Sequence, residues 1–259
     1  TAGLPIRIGV NGGSLEKDLL AKYGGITPQA MVESALHHVS LLEKEGFENI
    51  KISLKSSSLP LMVDAYRLIA KEVDYPLHIG LTEAGTVRRG SIRSAMAMAI
   101  LLSEGIGDTI RVSLTGDPLE EVRTAKEILA ALGLYRRGFQ FISCPTCGRT
   151  AIEVEKIALK VENALENIEP PRPMKIAVMG CVVNGPGEAG DADIGIAGGK
   201  NEGLLFVKGQ IVGKYPNHLL ADILISKVKE MIKEENIIKE NIIKENIIKE
   251  NIIKENSIK

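Results

Sequence analysis

Two stretches, Pro5-Ile6-Arg7-Ile8-Gly9-Val10 and Ile50-Lys51-Ile52-Ser53-Leu54, decide the fold. Successive side chains of an extended strand point to opposite faces. Arg7 and Gly9 therefore share one face and Ile8 and Val10 the other; Lys51, Ser53 and Lys55 lie together, opposite Ile52 and Leu54. Between the two strands, Thr27-Pro28 supplies an N-cap followed by proline at the first helical position, and a periodic helix runs on to about Gly46. The alternation continues outward. Leu59 to Val73 reads as a helix, Leu77 to Leu81 as a strand, Ser91 to Ser103 as a helix and Thr109 to Leu114 as a strand. Asp117-Pro118-Leu119-Glu120 is a capping-box start for a helix ending near Gly133, and Phe139 to Ser143 is a fifth strand. Strands roughly 30 residues apart, separated by amphipathic helices, predict βα units and a parallel sheet. An open doubly wound sheet and a closed (β/α)8 barrel both satisfy the pattern. A barrel takes about 250 residues. Only about half of that precedes Cys144, and the chain opens at Thr1 directly before a strand, so the barrel reading expects the early strands to lie outside this chain.

The pattern changes after Cys144. Ala151 to Asn167 reads as a helix, Glu169-Pro170-Pro171-Arg172-Pro173 as a stiff connector, and Lys175 to Met179 as a strand. Short strands follow near Asp193 to Ala197, Leu204 to Val207 and Gln210 to Val212. This is α+β in style, so the expected domains are 1–138, 139–235 and a tail, 236–259. The tail repeats Asn-Ile-Ile-Lys-Glu from Asn236, Asn241, Asn246 and Asn251. A five-residue step rotates about 140° on an α-helix. The Ile pairs therefore spiral without forming a heptad seam, which predicts a solvated helical extension or a frayed end.

Bulk composition narrows the function classes. The 259 residues carry 32 Lys and Arg against 33 Asp and Glu, a net charge of −1, which implies no global attraction to nucleic acid or anionic membrane. Aromatic residues are 3% and Trp is absent, against a base-stacking platform. No apolar run approaches the roughly 20 residues of a membrane span, and no signal peptide is visible. Three clustered cysteines suggest a reducing compartment and metal or redox chemistry, not a disulfide framework.

Those cysteines carry the strongest motif: Cys144-Pro145-Thr146-Cys147-Gly148-Arg149, with Gly180-Cys181-Val182-Val183-Asn184-Gly185-Pro186-Gly187-Glu188. Two cysteines separated by two residues can face one centre from a single turn, and the third comes from a separate strand end. Glycines let backbone pass close to a bulky inorganic core. Three thiolates plus an oxygen ligand suit a cluster with one iron open to substrate. The same Cys-Pro-x-Cys-Gly also occurs in zinc ribbons, but a ribbon needs a second Cys-x-x-Cys, and a Cys3His site through His218 stays open. A thioredoxin-type redox pair would leave the Cys181 segment unexplained.

These segments resemble the cluster domain of the 4-hydroxy-3-methylbut-2-enyl diphosphate synthase family. The resemblance extends upstream to Arg7-Ile8-Gly9-Val10-Asn11, Lys51-Ile52-Ser53-Leu54-Lys55-Ser56-Ser57, His78-Ile79-Gly80-Leu81-Thr82-Glu83-Ala84-Gly85 and Arg111-Val112-Ser113-Leu114-Thr115, in the family's order, over about residues 4 to 230. It implies the C-terminal part of a (β/α)8 TIM-type barrel followed by an α+β iron–sulfur domain of sulfite-reductase type. It implies one [4Fe–4S] cluster per chain on Cys144, Cys147, Cys181 and Glu188. The implied reaction is two-electron reductive ring opening and dehydroxylation of 2-C-methyl-D-erythritol 2,4-cyclodiphosphate in the non-mevalonate pathway, with ferredoxin or flavodoxin as donor. A head-to-tail homodimer in the bacterial cytoplasm (or a plastid) is implied as well. The alternatives are a zinc-stabilised binding module and a catalytically incomplete cluster-binding fragment.

A cyclic diphosphate needs cations and hydrogen-bond donors, and barrel active sites lie at the C-terminal ends of the strands. Arg7, Asn11, Lys51, Lys55, Arg93, Arg111 and Ser113 fall there or at adjoining helix starts and are expected substrate contacts. His78, at the start of its strand, is either a satisfied structural histidine or a substrate contact. Glu83, just past the strand, is expected as a proton donor or substrate contact, with Glu188 as the second catalytic carboxylate. Arg88 and Arg89 read as an exposed loop pair, and Asn184 as a substrate contact between Cys181 and Glu188. Gly12-Gly13 and Gly198-Gly199-Lys200 lack nucleotide-loop spacing.

Overall fold

A computed structural model describes residues 3–135, 138–181 and 189–256, with side chains up to residue 243. The chain divides into two compact units, Thr1–Leu134 and Tyr135–Lys259.

In the first unit, β1 (Ile6–Asn11) leads through a 3-10 turn at Gly12–Ser14 into a short helix, α1 (Lys17–Tyr23), and then α2 (Pro28–Lys44). Thr27 caps α2, its hydroxyl accepting from the Ala30 N–H at 3.2 Å. β2 (Ile50–Lys55), α3 (Leu59–Glu72), β3 (His78–Ile79), α4 (Val87–Ser103), β4 (Thr109–Ile110) and α5 (Pro118–Ala131) follow. β1 pairs with β2 in parallel, and β3 with β4. A parallel bridge from Ile52 to Leu77 joins the two pairs. α2 packs on α3, α3 on α4 and α4 on α5. Ile8, Val10, Ile52, Leu54, Ile79 and Leu81 are buried in one cluster with Met31, Met62, Tyr66 and Met98 of the helices. The apolar half of each strand's alternation thus meets the helices, and the polar half forms the other face. Spatial order follows sequence order without reversal, as in a singly wound (β/α) barrel; a doubly wound sheet reverses at a switch point.

The junction between β2 and β3 has an unusual occupant. Ile52 N donates to Pro76 O at 2.9 Å, and two residues further on the ladder would join Leu54 N to His78 O. The Tyr66 hydroxyl stands in that step instead. It accepts from Leu54 N at 2.9 Å and donates to His78 O at 2.5 Å. Beyond it, Thr82 N donates to Ser56 O at 2.9 Å. Burial pushes the Tyr66 phenol up to about 12, so it stays a proton donor.

Several elements differ from the sequence reading. α1 was not expected; at 7 residues it is too short to show a helical period. α4 begins at Val87, four residues before Ser91, so Arg88 and Arg89 lie in its exposed first turn and not in a loop. Gly90, which looks like a breaker, allows close packing: a Cβ there would lie 2.5 Å from Leu114 Cδ2 and 2.9 Å from Gly85 O. β3 and β4 are regular for two residues each, although Leu81 and Val112 remain buried as a longer strand would place them.

The second unit is a five-stranded sheet in the order β5 (Phe139–Ser143), β6 (Met174–Met179), β7 (Ile194–Ala197), β8 (Glu202–Val207), β9 (Gln210–Pro216). The first three strands are parallel and the last three antiparallel. Lys208 (φ 49°) and Gly209 (φ 75°) form the β8–β9 turn, both with the positive φ that a type I′ hairpin requires. α6 (Val154–Leu165) buries Val154, Ala158, Val161 and Leu165, and α7 (Leu220–Asn256) buries Leu220, Leu224, Val228 and Ile232. Both stripes cover Ile176, Val178, Ile194 and Ile196 of the sheet. α7 continues as one helix into the repetitive segment, where Ile237, Ile238, Ile242 and Ile243 are exposed.

Replacing Tyr66 with Phe keeps the ring in place but leaves Leu54 N–H and His78 C=O without their partner. An unsatisfied buried polar group costs about 1–3 kcal/mol. Urea unfolding should show a loss of that order, with faster amide exchange at Leu54; unchanged stability would mean the strands close directly on each other.

Candidate functional site

The polar face of the first sheet collects the predicted cations. Parallel register places Arg7 beside Lys51, Gly9 beside Ser53 and Asn11 beside Lys55. Gly9 makes room: a Cβ there would sit 3.4 Å from both Cε and Nζ of Lys55, so the lysine lies across β1. Arg7 and Asn11 are exposed, whereas Lys51, Lys55, His78, Arg111 and Ser113 are half-buried. Burial lowers the Lys55 ammonium pKa, and Arg7 and Arg111 lower it further. The Arg111 guanidinium is also pushed down, first by burial. Its Nη2 donates to Thr82 Oγ1 at 2.5 Å, while its Nε is buried with no partner. His78 Nδ1 lies 2.7 Å from Thr109 Oγ1. Burial lowers the His78 pKa, and Arg7, Lys51 and Arg111 lower it further. Like charges held this close repel one another, and an anion would relieve the repulsion.

Glu83 lies exposed just past β3 with φ 54°, a left-handed conformation that costs a non-glycine residue about 1–2 kcal/mol. Its neighbours are tied down. Thr82 N is bonded to Ser56 O, and Ala84 O accepts from Arg93 Nη1 at 2.9 Å. Arg93 Nη2 reaches Ser57 O at 2.5 Å. Arg93 therefore contacts the loops after β2 and β3, one turn into α4.

In the second unit, β5 and β6 are parallel neighbours with Ser143 opposite Val178. Cys144 and Cys181 consequently leave the same edge of the sheet. Gly180 N–H donates to Cys144 Sγ at 3.1 Å. The Cys147–Thr150 turn closes through Thr150 N to Cys147 O at 3.0 Å and Cys147 N to Thr150 Oγ1 at 3.1 Å. Ala151 N then bonds Gly180 O at 2.8 Å, docking the turn on the Cys181 segment. A Cβ at Gly180 would meet Thr150 at 2.9 Å, and one at Gly198 would meet Gly180 O at 2.8 Å. Cys181 is buried, Cys144 half-buried and Cys147 exposed. The Arg149 backbone N–H holds the Cys147 thiol below its ordinary pKa. Among the described residues, no three His, Cys, Asp or Glu side chains converge as a single-ion site. Asn184 and Glu188 lie outside the described residues.

Residues 1–126 match the GcpE TIM-barrel domain, and residues 140–230 match the GcpE protein C-terminal domain. The chain belongs to the GcpE family. Its relatives include proteins named 4-hydroxy-3-methylbut-2-en-1-yl diphosphate synthase (flavodoxin). The one from Caldanaerobacter subterraneus subsp. tengcongensis is 59% identical over 233 residues, which are 90% of this chain and 65% of that relative. Those from Clostridium acetobutylicum and Geobacter sulfurreducens are 59% and 58% identical, over 88% and 90% of this chain and 65% of each relative. The GcpE chain described here therefore spans about two thirds of the length of these curated relatives, at 65%.

Two residues at this GcpE site were not singled out from sequence. Tyr66 reads only as part of the buried stripe of α3, and its hydroxyl role depends on the β2–β3 spacing. Thr82 lies beside Glu83 in the quoted segment, but its bond to Arg111 joins separate strands.

The cationic face makes a pH prediction. His78 has a folded pKa below its ordinary 6.5, so below that pH the unfolded chain binds the proton more readily. The neutral ring's contribution to stability is complete above pH 6.5 and is lost as pH falls through the folded pKa. NMR titration should place the His78 midpoint below 6.5, and Arg7→Gln should raise it. A midpoint at the ordinary value would show that the cations do not act on the ring.

Proposed function

We propose that this chain belongs to an iron–sulfur oxidoreductase that converts 2-C-methyl-D-erythritol 2,4-cyclodiphosphate to 4-hydroxy-3-methylbut-2-enyl diphosphate. The observation that carries the reading is the conjunction of a clustered cationic strand face with three thiols at one edge of the second sheet, in a chain of the GcpE family. The conversion takes in two electrons and two protons and releases water. Flavodoxin, printed in the relatives' names, is the favoured donor, and ferredoxin the other.

The thiols fit a [4Fe–4S] group. Three soft donors are present, one already biased toward thiolate and one accepting a backbone N–H bond. Glycines at 180 and 198 let the Thr150 side chain and the Gly180 carbonyl pack where a Cβ would clash, so the Cys147–Thr150 turn lies close to the Cys181 segment. A cluster gives each thiolate its own iron, so its sulfurs are spaced more widely than around one zinc ion. Cys144, Cys147 and Cys181 would hold it with Glu188, a hard ligand able to yield its place. When bound, the cluster supplies the electrons and a Lewis-acidic iron.

The protein's own residues bind and orient. Arg7, Lys51, Lys55 and Arg111 offer cations to the diphosphate, and the unpartnered Arg111 Nε gains an acceptor. Asn11, Ser113 and, from the second unit, Asn184 would add neutral hydrogen bonds. His78, kept neutral by its surroundings, offers one donor and one acceptor and no charge. Glu83 delivers a proton to the departing oxygen. A head-to-tail homodimer would bring one subunit's cluster domain, of sulfite-reductase type, to its partner's barrel. The same reading takes 1–138, 139–235 and 236–259 as barrel part, cluster domain and tail. Among the described residues no helix is long and apolar enough to cross a membrane, and the reading places the enzyme in the cytoplasm.

Anaerobic reconstitution with iron and sulfide tests the site. The expected product is brown, with about four irons and four sulfides per chain. Ser at Cys144, Cys147 or Cys181 should abolish cluster retention, and Glu188→Ala should loosen the cluster or slow turnover. Colourless protein holding about one zinc would overturn the assignment. Brown protein without turnover would identify a cluster-binding fragment.

A further inference from the structure

We infer that Arg93 is a positioning residue: it clasps the loops after β2 and β3 and holds Glu83 in its left-handed conformation, and it does not bind the diphosphate itself. The inference rests on the proposed reaction only for what Glu83 does there.

Geometry separates these two roles for Arg93. A guanidinium grips a phosphate through a fork of parallel N–H bonds from its terminal nitrogens. Each terminal nitrogen of Arg93 commits one N–H to a backbone carbonyl, Nη1 to Ala84 O (2.9 Å) and Nη2 to Ser57 O (2.5 Å), which sets the direction of the fork. The carbonyls come from two different loops, so the side chain acts as a tie between them.

What the tie encloses is Glu83. On its N-terminal side Thr82 is bonded twice, its N–H to Ser56 O and its hydroxyl from Arg111. On its C-terminal side Ala84 O is held by Arg93, and Gly85 O accepts from Thr115 N at 2.9 Å. Glu83 itself has the positive φ of 54°. A non-glycine residue keeps that conformation only when its surroundings over-determine it, and such residues cluster at functional sites. Thr115 holds Gly85 by a backbone bond, and Arg93 is the side chain that ties the intervening Ala84 carbonyl to the same β2 loop that holds Thr82. The two anchors lie on consecutive residues, Ser56 and Ser57, so a single loop sets the carboxylate's direction.

The test compares Arg93→Ala, and Arg93→Lys, which keeps the charge but cannot bridge both carbonyls, with Arg111→Ala as a binding control. Titration with inorganic diphosphate should show the affinity of both Arg93 variants close to that of the unaltered chain, while Arg111→Ala weakens it about tenfold or more. In both Arg93 variants the Thr82 amide should exchange about tenfold faster or more. The 13C resonance of the Glu83 carboxyl should also move. In turnover, kcat should fall with KM unchanged, and Arg93→Ala should add nothing in a Glu83→Ala background, because the arginine acts through that carboxylate. A tenfold loss of diphosphate affinity in Arg93→Lys, or unaltered exchange and an unmoved Glu83 resonance, would overturn the inference. An unaltered chain that reduces no cyclic diphosphate would sink the proposed reaction alone, and the exchange and Glu83 resonance would still decide on the clasp. Should Arg93→Ala fail to fold, Arg93→Lys carries the same measurements.

Discussion

The hydroxyl of Tyr66 joins the two halves of the first sheet, and the cationic face depends on that joint. Without it, β1–β2 and β3–β4 would be linked by the pairing around Ile52 and Leu77 and by the Thr82–Ser56 bond, with a gap in the ladder between them. The phenol relays Leu54 N–H to His78 C=O, one bond longer than a direct ladder step. The relay works only while the phenol is protonated, which burial ensures. His78 carries the relay on its carbonyl and presents its ring to Arg7, Lys51 and Arg111. Core packing under the sheet and electrostatics above it thus meet in one residue.

Gathering cations has a cost. Lys55, His78 and Arg111 are all displaced toward their uncharged forms by burial, and Lys55 and His78 further by neighbouring cations. The folded state therefore holds repulsion that the unfolded chain lacks. The apolar side of the same strands offsets it: Ile52, Leu54, Ile79 and Leu81 are almost wholly buried, and each fully buried side chain of this kind contributes about 1.5–3 kcal/mol. A bound anion removes the repulsion, so affinity for anions and stability are linked. This is why the polar half of the alternation is tolerated where a purely structural sheet would carry threonine or valine.

Much of this could be read from the sequence, for a definite reason. A period of two fixes which face a strand residue takes, so the sequence alone assigns Arg7, Lys51, Lys55 and Arg111 to the polar faces of their strands. β1, β2, α2 and β5 fall within a residue or two of the expected bounds because caps and alternation agree there. The misses share a different cause: each depends on contacts between distant segments. Gly90 breaks the helical pattern locally yet lies inside α4, because Leu114 and Gly85 crowd its α-carbon. That the Arg93 donors reach the carbonyls of Ser57 and Ala84 was equally out of reach of the sequence. The Cys motifs were legible as a pattern, not as a geometry. That Gly180 bonds Cys144, and that Thr150 and Ala151 dock the turn, required the parallel β5–β6 pairing.

The last helix shows where tertiary control of the chain ends. Leu220, Leu224, Val228 and Ile232 recur every four residues and press on the sheet. Arg172 ties Glu235 to this unit at 3.0 Å, and Lys239 Nζ reaches Pro171 O at 2.5 Å. From Asn236 on the apolar period becomes five, and Ile237, Ile238, Ile242 and Ile243 are each about half exposed, from 49% to 58%. No packing selects helix there. The repeat instead places each Glu four residues before a Lys, the favourable orientation for a helical ion pair, at about 0.2–0.5 kcal/mol per pair. Local terms of that size sustain a helix that tertiary contacts have already nucleated, and they specify no partner face. The same argument that makes the first sheet's alternation informative makes this repeat uninformative, because its period matches neither a strand nor a helix stripe.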